Sequence, residues 1–241
     1  MSDKKVDILA IGVHPDDVEL GCGATLIKHI DMGYSVAVVD LTQGELGTRG
    51  NPELRFQEAE AAKEYAGIKY RENLGLKDGF FENNEASKMK IIEAIRKYQP
   101  EILFANAVRD RHPDHGNAAK LVYEASFLAG LSKIQTTVDG EVQEKWRPRK
   151  LLNYIQDFNL EPDVVVDITD YMERKIEMVL CFKTQFYSPD STEDETPISS
   201  SDFLEFLRAR ARSHGRHIGA SFGEGFTCES YIGIDNIFSI K

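Results

Sequence analysis

An alternation constrains this chain most. Short apolar, β-rich runs are separated by longer stretches that carry helix signals. Val6–Val13 (VDILAIGV) reads as a buried strand. A helical stretch follows from about Val18 to Met32 and stops at Gly33. Tyr34–Thr42 is a second strand. Asn51-Pro52 has the form of a helix cap followed by a first-turn proline, opening a helix to about Ala66. Lys69–Leu74 reads as strand three and Ala86–Gln99 as an amphipathic helix ended by Pro100. Glu101–Asn106 reads as strand four, and a helix then runs to about Leu128. Leu151–Gln156 and Val164–Thr169 are further strands. Tyr171–Phe186 and Phe203–His214 are helices, and the tail from Ile218 suggests a final strand or extended cover.

Repeated β-α-β units predict an α/β fold: a mostly parallel sheet, strand order 3-2-1-4-5, with helices on both faces. Strands one and four then flank the switch point, and ligands bind beyond their carboxyl ends. The 241 residues fit one domain, 1–241. Tyr187–Ser201, acidic and Ser/Thr-rich with two prolines, reads as an exposed loop.

Composition narrows the partners. The net charge of −11 argues against nucleic acid, which needs a basic footprint. It leaves room for a small anionic ligand held by a few arginines. No apolar run reaches the ~20 residues of a bilayer span, and Val6–Val13 lacks the features of a secretory signal, so no membrane partner and a cytoplasmic location are expected. Three widely spaced cysteines suggest neither a disulfide framework nor a zinc ribbon.

The chemistry sits in two turns. His14-Pro15-Asp16-Asp17 follows strand one, and His112-Pro113-Asp114-His115 follows strand four. Together they bring three imidazoles and three carboxylates to the switch point. Two histidines, one carboxylate and an open position make a recurring catalytic zinc site, and the same donors suit Fe2+ or Mn2+. Asp16 or Asp114 could alternatively be helix caps. The stretch GVHPDD has a single glycine and lacks the G-x-G-x-x-G of a dinucleotide site.

GVHPDDVELGCGATL, GELGTRG, PELR and DRHPDH, in that order, resemble the LmbE/PIG-L family of zinc-dependent deacetylases. Within it, TPIS (Thr196–Ser199) and GASFGEGF (Gly219–Phe226) are most similar to the deacetylases that act on N-acetylglucosaminyl-malate in bacillithiol biosynthesis. The resemblance implies a Rossmann-like three-layer sandwich, one Zn2+ per chain and a homo-oligomer, up to a hexamer. It implies His14, Asp17 and His115 as metal ligands and Asp16 as general base. It also implies His112 as acid and oxyanion partner, Asp114 as its orienting group, and Arg55 as a substrate contact.

The residue types fit that chemistry. Asp16 can face the attacking water while Asp17 faces the ion, because adjacent side chains diverge. Asp114 is expected to raise the pKa of His112 and fix its ring. Arg55 suits a carboxylate through its planar fork. Malate has two carboxylates, so a second basic group is expected among Arg49, Arg109, Arg147 and Arg149. Arg147 is favoured because WRPRK precedes a strand expected to border the crevice. Some family members carry a tyrosine after the TP loop; here the nearby aromatic is Phe203. His29 reads as a surface or packing residue, and His214 and His217 as solvated residues at a helix end.

Overall fold

The computed structural model describes residues 4–189 and 191–240. Asp190, within the expected acidic loop, lies outside the described residues, as do residues 1–3 and 241 of the 1–241 span read as one domain. The strands are β1 (Ile8–Gly12), β2 (Val36–Thr42), β3 (Tyr70–Leu76), β4 (Ile102–Ala105), β5 (Thr137–Val138), β6 (Glu141–Val142), β7 (Lys150–Tyr154), β8 (Val164–Asp167) and β9 (Gly223–Thr227). The α-helices are α1 (Asp17–Asp31), α2 (Pro52–Ala66), α3 (Glu85–Tyr98), α4 (Pro113–Ala129), α5 (Met172–Val179) and α6 (Phe203–His217).

The main sheet runs β3-β2-β1-β4-β7-β9-β8. The first five strands in this order are parallel, with Ile8 opposite Val36 on one side and Ile102 on the other. The expected 3-2-1-4-5 order holds, with β7 in the fifth place. The glycine-rich tail supplies β9, which inserts antiparallel between β7 and β8.

Two cores explain the layers. Along β1, Ile8 and Ala10 pack into one cluster with Leu26, Ile176 and Leu207, while Leu9 and Ile11 pack into the other with Ile91, Ile95 and Leu121. The strand's period of two thus feeds both faces, and both are buried. No helix among the described residues is long and apolar enough to cross a membrane.

Three local differences from the sequence reading have physical causes. The β5–β6 hairpin turns on Asp139-Gly140, both at positive φ (51° and 82°), the Asp-Gly signal of a tight hairpin. The helix expected over Tyr171–Phe186 ends at Val179. Just beyond it, the Glu58 carboxylate on α2 accepts the Thr184 N–H (2.7 Å) and hydroxyl (2.8 Å) and draws the chain away. His214 is buried rather than solvated: its ring lies against Gly225, where a Cβ would meet it at 2.8 Å.

Helix α1 itself is bent. Cys22 leaves helical geometry (φ −141°, ψ 17°), and the Glu224 carboxylate on β9 accepts the N–H groups of Ala24 (3.2 Å) and Thr25 (2.7 Å) beyond the break. Lys175 neutralises Glu224 at 2.5 Å. A buried ion pair therefore caps the second half of the helix that carries Asp17.

Candidate active site

β1 and β4 are neighbours in the sheet, so the turns that follow them meet. The His14 and His112 rings stand 4.7 Å apart edge to face, and the His112 and His115 rings stack at 5.2 Å. His14, Asp16, Asp17, Asp114 and His115 are all buried. Pro113 opens α4 at its first turn, which aims both histidines of that turn at the crevice.

Asp17 holds the cluster together. Its Oδ2 accepts the backbone N–H groups of Val13 (3.0 Å) and His14 (2.9 Å) and the Asn106 amide (3.0 Å). Its Oδ1 accepts from Gln156 at 2.9 Å. The same carboxylate lies 3.6 Å from His14 Nδ1 and 3.1 Å from His115 Nε2. Ligands around a tetrahedral zinc with bonds near 2.0–2.1 Å sit roughly 3.4 Å apart, and the two contacts of Asp17 with the imidazoles fall on either side of that spacing. Ring nitrogens of His14, His112 and His115 also converge to within 4.8 Å, as do donor atoms of His14, Asp78 and Asp114. Imidazole and carboxylate donors together suit Zn2+ or Fe2+.

The electrostatics agree. Burial would push the Asp17 carboxyl up, but His115 and His14 beside it hold it well below the usual range. Burial opposes charge on His14 too, yet the hydrogen bonds and charges of Asp17 and Asp78 raise it to about 10. His115 is likewise raised, to about 9, by Asp17 and Asp110 against its burial. The pocket is built to hold positive charge among its carboxylates.

Asp16 differs from its neighbour. It precedes α1 at φ 124°, ψ −23°, and its side chain makes no cap hydrogen bond. A non-glycine residue in that region stores strain of about 1–3 kcal/mol, and no cap hydrogen bond offsets it here. Burial drives its carboxyl up to about 7, with the Arg55 charge restraining the rise. Arg55, on α2, is buried and donates to the Gln185 side chain. Gly44 and Gly47 make room for that guanidinium: a Cβ at Gly47 would stand 2.7 Å from Arg55 Nη2. These loop glycines accommodate the arginine.

His112 departs from expectation. Burial, then the charges of His14 and His115, lower its pKa; the Asp114 carboxylate opposes this without prevailing. That carboxylate accepts the Gly79 N–H at 2.9 Å, and it is the Asp114 backbone N–H that donates to His112 Nδ1, at 3.3 Å. Orientation of the ring comes from the backbone. With Nδ1 accepting, a neutral His112 carries its proton on Nε2.

A family model described as PIG-L, GlcNAc-PI de-N-acetylase, matches residues 9–126. An uncharacterised deacetylase of Escherichia coli, YaiS, is 35% identical over 134 residues, 53% of this chain and 70% of that protein. The chain belongs to the PIG-L family. Diacetylchitobiose deacetylase of Thermococcus kodakarensis is 29% identical over 228 residues, covering 90% of this chain and 81% of the relative. A conserved protein of Thermus thermophilus, TT1542, superposes with a TM-score of 0.84 at 31% identity, covering 95% of this chain and 98% of that one. The chain is thus an enzyme of the N-deacetylase class.

The PIG-L match spans both His-Pro-Asp turns and Arg55 and ends before the rest of the cavity wall. That cavity, about 300 Å³, is also lined by Gln185, Pro197 and Ile198, and by Phe203 and Arg210 of α6. Sequence reasoning missed four residues here. Asp78 meets His14 Nε2 at 3.0 Å, and Asp110 meets His115 Nδ1 at 2.6 Å. Gln185 holds Arg55, and Arg210 enters from α6. Asp110, five residues before His115, was the most accessible of them, since metal-binding histidines generally donate their second nitrogen to a carboxylate.

Arg147 does not join the PIG-L site. It stacks on Phe127 at 4.5 Å and donates to the Phe127 carbonyl at 2.8 Å. It precedes β7, so it stands at the amino end of the sheet, opposite the crevice. Arg49 is buried but spent on the Phe186 carbonyl, Ser191 and Glu193. Arg149 pairs with Glu101 in the open, and Arg109 lies over Phe158.

Proposed function

We propose that this enzyme is a zinc-dependent hydrolase that removes acetate from an N-acetylated amino sugar, with N-acetyl-α-D-glucosaminyl L-malate as substrate and a place in bacillithiol biosynthesis. The observation that carries the chemistry is Asp17 standing within 3.6 Å of one imidazole and 3.1 Å of another, beside an uncapped Asp16. His14, Asp17 and His115 would hold one Zn2+, or Fe2+ in its place. When bound, the ion lowers the pKa of water and polarises an acyl oxygen.

The protein's own groups then divide the work. Asp16, poised near neutrality, takes a proton from the attacking water and returns one to the departing amine. His112 Nε2–H donates to the oxyanion, a role that does not require a charged ring. Asp114 acts on His112 through its backbone N–H, and Arg55 meets the substrate's polar groups. The net charge of −11 favours a small substrate over nucleic acid, and a homo-oligomer, up to a hexamer, in the cytoplasm completes this reading.

The likeness to diacetylchitobiose deacetylase over 81% of that protein favours a second reading, the same chemistry on another N-acetylglucosamine derivative or on a thiol conjugate. An acetate-release assay on N-acetylglucosaminyl-malate, N,N'-diacetylchitobiose and free N-acetylglucosamine, with and without chelator, decides. Chelator-sensitive turnover fastest on the malate glycoside is expected. Faster turnover of chitobiose moves the enzyme to the second reading, and chelator-resistant turnover removes the metal.

A further inference from the structure

Phe203, Phe206, Leu207 and Arg210 of α6 all line the cavity that contains the histidine cluster. Their spacing of three, four and seven residues places them on one helix face. That face begins with apolar surface and ends with a cation about 10 Å along the axis, at 1.5 Å per residue. The span matches a sugar ring with one substituent.

The state of the cation is unusual. Arg210 Nη2 donates to the Leu20 carbonyl at 3.2 Å, and the guanidinium lies over Phe206 at 5.5 Å. It has no ion-pair partner among the described residues. Of the other cavity arginines, Arg111 Nε meets Asp157 at 2.7 Å, while Arg55, also without an ion pair among the described residues, donates to the Gln185 amide. Burial lowers the pKa of Arg210 to about 10, with Glu224, Asp157 and Asp110 opposing, so it is charged at neutral pH. Several N–H donors of a half-buried guanidinium are thus left to the cavity. A desolvated, unpaired cation is costly and gains most from an anion. A chain of net charge −11 also needs such a local cation to admit an anionic substrate.

We propose that Arg210 is a specificity-determining residue: it receives a carboxylate on the aglycone of the substrate and makes the enzyme prefer acidic glycosides over neutral ones. The inference rests on the amino-sugar deacetylase reading above.

The test compares kcat/KM of the metal-loaded wild type, Arg210→Gln and Arg210→Lys on N-acetylglucosaminyl-malate and on methyl N-acetylglucosaminide, with calorimetric titration of L-malate alone. Thermal melts confirm that each variant folds. Losing a charge-assisted contact should lower kcat/KM on the malate glycoside by about 10- to 100-fold in Arg210→Gln, mainly through KM. The neutral glycoside should change less than about 3-fold, Lys should restore part of the loss, and L-malate binding should weaken in parallel. Equal losses on both glycosides, or none on either, overturn the proposal while leaving the deacetylase reading intact. If the wild type releases no acetate yet binds L-malate in an Arg210-dependent way, the anion site stands and the substrate reading falls.

Discussion

Oδ2 of Asp110 lies 2.6 Å from Nδ1 of His115. The other oxygen of that carboxylate accepts the backbone N–H groups of Asp157 (3.0 Å) and Phe158 (2.8 Å). Asp110 is therefore anchored on both sides, and it turns His115 Nε2 toward Asp17. Asp110→Asn should weaken zinc affinity by about 10- to 100-fold. Competition with a chromophoric chelator measures this. Unchanged affinity would mean that α4 alone orients the ring.

Asp16→Asn removes a base without touching the residues that converge on Asp17. Metal content should match the wild type, and kcat should fall by about 10²- to 10⁴-fold. Metal analysis paired with acetate release separates the two effects. Near-normal turnover would reject the base assignment.

Gly47→Ala pushes a methyl group toward Arg55, 2.7 Å from Nη2 and 3.0 Å from the Gly44 carbonyl. The guanidinium can move only by giving up its contact with Gln185. KM should rise by about 10-fold or less, with metal content intact, as a milder version of Arg55→Ala. An unaltered KM in both variants would remove Arg55 from substrate binding.

His214 gives a pH test away from the histidine cluster. Burial, then Arg210, Lys175 and more weakly His217, lower its pKa to about 4, against the opposing Glu224 charge. The unfolded chain takes up this proton near 6.5, so between 6.5 and 4 it binds more protons than the folded state. Stability from this group is complete above pH 6.5 and declines as pH falls toward 4. The Tm of the wild type should drop more between about pH 7.5 and 5.0 than that of His214→Gln. Parallel declines would show that His214 is not held neutral.

Much of this was readable in one dimension. Asn51 accepts the Leu54 N–H at 3.0 Å with Pro52 in the first turn, as its residue type implied. The β1, β2 and β4 segments, largely buried runs, lie where the sequence placed them. The two His-Pro-Asp turns meet because the strands they follow, β1 and β4, are neighbours in the sheet, as the expected order placed them. His214 and Arg210 were less accessible. Both sit in the basic run RARARSHGRH, which resembles a solvated helix end, and only the β9 insertion covers one and leaves the other facing the cavity.

The sequence alone determined the layered scaffold, the residues at the switch point and the type of donor they present. Hydrophobic period, caps and turn residues act within a few positions, so their message is local. Tertiary structure alone decided that Asp78 reaches His14 across 64 residues and that Glu224 caps the broken α1 across about 200. It also decided that α6 brings Arg210 to the cavity wall with no ion-pair partner among the described residues. Such contacts depend on how packed layers juxtapose distant side chains, and nothing in the neighbouring sequence of either partner encodes them.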